Sequence, residues 1–299
     1  MQWLKTLFAL VVWSVACSPH AIGQARLGAQ GVEAEPDRMQ QWLVPSPDRE
    51  ISAHAVLFRP PGEGPFRLAV IAHASTQNAL RRAQMPQPQY RALAAWLVSR
   101  GFAVLVPERP GHGATGGRYL EDQGGCDQVD YIGAGRATAG AIATALNYLR
   151  RQSFIRQDGA VVIGHSAGGW GALALAADNS AGISGIIAFA PGRGGHAGDF
   201  PGQVCAPRML KLAAAEFGRR AKIPVTWLVA ANDSYFPPDF SQQLADAFRG
   251  GGDRVEFGVL AATGQEGHWL VESDAGVQAA APALQRAMQA AGSTAAKPR

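Results

Sequence analysis

Charge is scarce in this chain: only 17% of its 299 residues are Asp, Glu, Lys or Arg, and 27 basic against 23 acidic side chains leave a formal charge of +4. A surplus that small is too mild to argue for nucleic acid as a partner. Cysteine is scarcer still, with three, and these together with seven scattered histidines show no zinc-ligand spacing. No Gly-Lys-Ser/Thr follows the glycine-rich stretches "PGHG" and "HGATGG", so a nucleotide phosphate loop is unsupported. The reading therefore implies no cofactor and no metal. Nothing repeats at a solenoid period. No Ser/Gly/Pro linker or run of charge splits the middle of the chain. Apolar residues are plentiful, at 47%, as are glycine (36) and proline (19), which together suit one large core crossed by many sharp loops.

The start of the chain, "MQWLKTLFALVVWSVACSPHAIGQA", has one Lys, an apolar run from Leu7 to Val15, and then small residues. The run is about half the length that spans a bilayer, so residues 1–25 read as a cleaved export signal rather than a membrane anchor. Cleavage after Ala16, Gly23 or Ala25 fits. Ser14-Val15-Ala16-Cys17 also partly resembles a lipoprotein box, although Ser14 stands where Leu is preferred; Cys17 is the candidate lipid anchor under that reading. Both alternatives place the protein in the periplasm or outside the cell.

Residues 26–48 read as a polar, irregular N-terminal arm. "ISAHAVLFRP" and "RLAVIAHAS" then read as strands, and "PQYRALAAWLVSRGF" as a helix with Leu93, Trp96 and Leu97 at helical spacing and Gly101 as its stop. Further along, strand 103–107 opens into a glycine-rich loop and is followed by a long helix over 129–151. Strand 160–164 runs into a helix from Ala167 to Ala177, and "GISGIIAFAPG" and "IPVTWLVAAND" are two more apolar strands. Helix 238–249, strand 254–260 and a helix through Ala291 complete the order. Strands alternating with helices imply an α/β fold with a mainly parallel, doubly wound sheet covered on both faces. Functional groups in such sheets sit on loops at the carboxyl ends of the strands.

One of those ends reads Gly164-His165-Ser166-Ala167-Gly168, a Gly-x-Ser-x-Gly pattern between a strand and a helix. A nucleophile in such a turn occupies a strained backbone conformation, so the residues at 164 and 168 must be small. The amide of Ala167, at a helix N-terminus, is placed to donate to a developing oxyanion. On these residues the chain resembles the α/β-hydrolases, in particular dienelactone-hydrolase-like and related bacterial serine esterases, over roughly residues 50–290.

The resemblance implies the chain order nucleophile, acid, histidine. A serine hydroxyl needs a base, and the base needs a carboxylate to hold it. His268 in "GQEGHWLVES" is the histidine that lies after the last strand, where the family carries its catalytic one. Asp233 in "WLVAANDSYFPP" directly follows a strand and occupies the position of the family's acid loop. Asp239, which opens a helix, Asp253, in a glycine-rich connection, and Glu266, two residues from His268, are its competitors. The family often reads His-Gly-x after the strand that here ends in His73-Ala74-Ser75. By that alignment the Ser75 amide is the second oxyanion donor and His73 is structural. Trp170, Tyr235, Phe236 and Trp269 flank these positions and are candidates to wall a substrate pocket.

The expected activity is therefore a periplasmic or secreted serine hydrolase cleaving a small-molecule carboxylic ester through an acyl-enzyme on Ser166. The serine argues against haloalkane dehalogenase chemistry, which uses aspartate there, and against dienelactone hydrolysis itself, which cysteine would favour. Two rivals stand beside it: a peptidase or amidase using the same triad, and a catalytically silent binding protein that keeps the fold. The domain reading places the α/β-hydrolase domain at 49–292, with 192–221 as a cap segment and 293–299 as a flexible tail. Once the leader is removed, Cys126 and Cys205 are the only cysteines left unless Cys17 survives as an anchor, and in an oxidising compartment they are expected to pair. Both lie on loops leaving the edge that carries Ser166, so the bond would pin the cap segment over the site.

Overall fold

The computed structural model describes residues 26–250 and 255–295. The leader, Cys17, Asp253 and residues 296–299 lie outside the described residues. In chain order the elements are β1 (Gly28–Ala29), β2 (Gln40–Pro45), β3 (Ser52–Phe58), β4 (Phe66–Ala72), α1 (Ala79–Ala83), α2 (Arg91–Val98), β5 (Phe102–Pro107) and α3 (Tyr131–Leu149). They continue with β6 (Ile155–His165), α4 (Ala167–Ala177), β7 (Ile183–Phe189), α5 (Pro207–Arg220), β8 (Val225–Ala230), α6 (Pro238–Arg249), β9 (Val255–Leu260) and α7 (Asp274–Ala295).

Among the described residues nine strands form one open sheet in the order β1-β2-β3-β5-β4-β6-β7-β8-β9. From β5 to β9 every neighbouring pair is parallel, and β1, β2 and β3 extend the sheet by antiparallel pairing. Parallel neighbours need long crossovers, and here helices supply them, covering the sheet on both sides. On one face α3, α4, α5 and α6 pack through Ile142, Leu173, Leu210, Phe217 and Leu244. On the other, α2 and α7 contribute Leu93, Leu97, Val277 and Leu284. The central strands are buried from both sides, so β5 and β8 have no exposed residue.

Three expectations differ from the structure. Within 26–48, which reads as an irregular arm, β1 and β2 join the sheet, and Trp42, Leu43 and Val44 are buried. The short strand QQWLVP does not alternate, and its register comes from pairing with β3 rather than from its own pattern. The segment 192–221 is not a single cap. Its second half is α5, the crossover helix that joins the parallel neighbours β7 and β8 and buries Leu210, Ala214 and Phe217; only the first half, 192–206, lies over the strand ends. Finally, residues 293–295, expected in the tail, continue α7.

Candidate active site

The turn from β6 into α4 carries Ser166 at φ 54°, ψ −118°, outside the region open to ordinary L-residues. Two glycines make that turn feasible. A Cβ on Gly164 would lie 2.5 Å from the Gly168 carbonyl oxygen, and one on Gly168 would strike the Ala72 carbonyl. Ser166 is nearly buried and opens into a cavity of about 950 Å³, which Ala167, Ser75, Tyr235, Phe236, His268 and Trp269 also line.

Asp233 leaves the end of β8, and His268 sits in a short 3-10 turn before α7. The Asp233 carboxylate is held on one oxygen by the amides of Tyr235 (2.8 Å) and Phe236 (2.9 Å). Its other oxygen accepts from His268 Nδ1 at 3.0 Å. With the proton on Nδ1, Nε2 of His268 presents a lone pair. Burial lowers the pKa of this imidazole and Asp233 opposes the shift, so the ring rests neutral and can accept a proton. The competing acids stand elsewhere: Asp239 is exposed in the first turn of α6, and Glu266 caps the loops by accepting from the amides of Ser234 (3.1 Å) and His268 (2.9 Å) and from the Ser234 hydroxyl. Burial alone would raise the Glu266 carboxyl, but these hydrogen bonds outweigh it and leave the pKa lowered.

A family model described as serine aminopeptidase, S33, matches residues 87–222. No curated protein matches the sequence. Among solved structures, an esterase of Pyrococcus furiosus superposes with a TM-score of 0.56 at 14% identity, covering 89% of this chain and 99% of that one. Est1E of Butyrivibrio proteoclasticus with ferulic acid bound gives 0.56 at 14%, covering 83% and 99%. A puromycin-hydrolyzing peptidase of Mycobacterium tuberculosis gives 0.60 at 17%, covering 86% of this chain and 40% of that one. This chain has the α/β-hydrolase fold.

Within this fold the Ser75 hydroxyl meets His112 Nε2 at 2.7 Å, with Tyr119 Oη at 3.3 Å. His112 Nδ1 faces the carbonyls of Arg109 and Pro110, both at 3.1 Å, so Nε2 accepts and Ser75 donates. Burial brings His112 to a pKa of about 4 and His73 well below the ordinary value, so both are neutral. His73 is tied into the loop by the Arg109 amide on Nε2 (3.0 Å) and by its own Nδ1 to the Ala74 carbonyl (2.6 Å), which suits a structural part.

Trp170 is the site expectation that the structure corrects. It is fully buried, donates its indole N–H to the Tyr131 carbonyl at 2.8 Å, and packs on Phe217. It follows Ser166 by one helical turn, but α4 is buried on every side, so its side chain faces α3 and α5 rather than the cavity. Tyr235 and Trp269 do border the cavity, and Phe236 lines it from a fully buried position.

Two supports escape sequence reading. Arg109 and Arg193 share the buried Glu121 carboxylate, which Thr138 also meets at 2.8 Å. Burial would raise that carboxyl; the two guanidiniums outweigh it and hold its pKa low. The other support is Tyr90, whose hydroxyl accepts from the Ala74 amide at 3.1 Å and meets His165 Nδ1 at 2.9 Å. His165 offered a signal as the variable residue of Gly-x-Ser-x-Gly; Tyr90 offered none. Cys126 and Cys205 are joined in a disulfide between the loop after β5 and the 192–206 loop.

Proposed function

We propose that this protein is an exported serine hydrolase that cleaves carboxylic esters of small molecules. The observation that carries the reading is that His268, held by Asp233, lines one cavity with a strained serine at a strand-to-helix turn. Ser166 Oγ attacks the carbonyl carbon while its proton passes to His268 Nε2, and the carbonyl π pair moves onto oxygen. The amides of Ala167 and Ser75 receive that oxyanion. Collapse expels the alcohol, which takes the proton back from His268. Water, activated by the same base, then releases the acid from the acyl-enzyme. Tyr235, Phe236 and Trp269 border the acyl or alcohol group.

A peptidase or amidase is the second reading. It is favoured by the description of the matching family model and by the puromycin-hydrolyzing neighbour, of which this chain spans well under half. The disulfide is consistent with an oxidising compartment, and among the described residues no helix is long and apolar enough to cross a membrane.

A fluorophosphonate probe tests the core of the proposal, with labelling expected at Ser166 and a silent binding protein expected to stay unlabelled. A panel of p-nitrophenyl esters graded by acyl length, with an aminoacyl anilide beside it, separates the two enzymatic readings. Preference for the anilide in kcat/KM would sink the esterase.

A further inference from the structure

The Tyr235 ring lies against the imidazole of His268. The two planes stack with centroids 4.3 Å apart and 22° between them. His196 covers the opposite face of the phenol at 3.6 Å and 9°, so the three rings form a column. Backbone and covalent ties hold that column. The Tyr235 amide is fixed by Asp233, and His196 Nε2 meets the Ser234 hydroxyl at 2.8 Å. The 192–206 loop that carries His196 is closed on itself by the Cys205 amide on the Gly194 carbonyl (2.8 Å) and tied to the loop after β5 by the disulfide. Trp269 meets Tyr235 and His268 edge-on, at 5.8 Å and 5.1 Å.

The face of a phenol is the negative end of its quadrupole and attracts a cation within about 6 Å, more strongly where water is excluded. A neutral imidazole gains less from the same contact. The stack is therefore worth more after His268 has taken a proton than before, which is the condition for a contact to speed a reaction.

We infer that Tyr235 is a positioning residue that stabilises the imidazolium form of His268 through the face of its ring, with His196 and the disulfide-tied loop holding that ring in place. The inference rests on the proposed reading of His268 as the base for Ser166. The charge in question appears when the Ser166 proton reaches Nε2 as the Oγ–C bond forms, and disappears when Nε2 returns the proton to the leaving group. The charged and titratable groups acting on His268 are Asp233, Glu266 and His165. Those acting on Tyr235 are Glu266, Arg81, Asp233 and Asp199, with His196 stacked on it. All of these side chains remain in a variant at 235, although His196 loses the ring it stacks on. Burial raises the Tyr235 pKa, so the ring is a neutral phenol throughout the working range.

Loss of the π face and mere loss of packing act in opposite directions. Without the π face the imidazolium is less stable, and the pKa of His268 falls. Loosened packing admits water, relieves the burial that lowers this pKa, and raises it. The acid limb of kcat/KM against pH reads this pKa in the free enzyme.

The experiment compares wild type, Tyr235→Phe and Tyr235→Leu on p-nitrophenyl acetate across pH, with fluorophosphonate labelling alongside. Tyr235→Phe should keep the wild-type acid limb. Tyr235→Leu should move it down by about half to one pH unit, with kcat falling more than KM changes. Should the leucine variant fail to fold, pentafluorophenylalanine incorporated at 235 keeps the ring's shape, reverses its quadrupole, and should move the limb the same way. An acid limb that stays put or moves upward in the leucine variant, or in the pentafluorophenylalanine protein that replaces it, overturns the inference. If wild type is not labelled at Ser166, the reading of the site has failed and the inference falls with it.

Discussion

Tyr90 Oη and His165 Nδ1 lie 2.9 Å apart beneath the serine elbow, and the bond joins three loops that are distant in sequence. His165 Nε2 faces the His268 carbonyl at 2.8 Å, which places the proton on Nε2 and makes Nδ1 the acceptor of the Tyr90 hydroxyl. The same hydroxyl accepts from the Ala74 amide at 3.1 Å. The loop at Ala74, the turn at Ser166 and the loop at His268 are thus linked through the Tyr90 hydroxyl and His165. Tyr90→Phe leaves a buried N–H and a buried imidazole nitrogen without their partner, and should cost about 1–3 kcal/mol of stability. We expect kcat to fall about tenfold on the same ester, as the three loops lose register. Urea titration and steady-state kinetics check both halves, and an unchanged midpoint with unchanged kcat would refute this account.

The proposed triad makes a sharper demand. Ser166→Ala or His268→Ala should lower turnover by about 10⁴ or more with the fold intact, and Asp233→Asn should hurt less than either. Circular dichroism must accompany the rates. A folded Ser166→Ala protein with near-wild-type esterase activity would remove the nucleophile assignment.

The disulfide closes a loop across a sequence separation of 79 residues. In the chain-entropy picture such a crosslink contributes about 4 kcal/mol by restricting the unfolded chain. Cys126→Ser with Cys205→Ser should therefore lower the unfolding free energy by about 2–4 kcal/mol. Because the 192–206 loop carries His196, the double variant should also lose some kcat. Free, alkylatable thiols at both positions in protein made in an oxidising compartment would contradict the pairing.

Acid should destabilise the protein in two stages. His73, His112 and His268 all have folded pKa values below the unfolded value, so the unfolded state binds more protons and stability falls as pH drops below about 6.5. For His112, displaced to about 4, the full contribution is about 3 kcal/mol, lost between those two values. Glu121 and Glu266 have lowered pKa values; their contribution is present above the unfolded carboxylate value and is lost as pH falls below about 4.5. Urea midpoints measured from pH 7 to 4 should fall throughout, and His112→Asn should flatten the upper part of the curve. A flat wild-type profile between pH 6.5 and 4.5 would refute the neutral-histidine account.

Export has a direct test. Mass spectrometry of protein from its native host should find a mature N-terminus near residues 17–26, with a lipid on Cys17 if the partial lipoprotein box is used. An intact, unlipidated chain beginning at Met1 in the cytoplasm would count against it.

The strand-turn-helix around Ser166 was legible because its requirements are local. The collisions that demand Gly164 and Gly168 involve the turn itself and the neighbouring end of β4, and no alternative residue relieves them. The order of Ser166, Asp233 and His268 was what the resemblance to the α/β-hydrolases implied, and a parallel sheet returns each strand's carboxyl end to one edge, where such residues can meet. Pairing of Cys126 with Cys205 was expected from their being the two cysteines beyond the leader, from an oxidising compartment, and from both loops leaving the edge that carries Ser166. Tertiary structure decided what depends on the direction of a side chain. Every residue of α4 is buried, so no periodic pattern could tell that Trp170 turns to Tyr131 and Phe217 instead of the cavity. The strand β2 exists because β3 offers it an edge, which six residues without alternation cannot announce. The face of α5 became interpretable only against α4 and α6, which take it out of the cap and leave 192–206 above the site. The column of His196, Tyr235 and His268 joins three loops whose residues have no sequence relation, and stacking of rings is fixed only when the backbones that carry them have been placed.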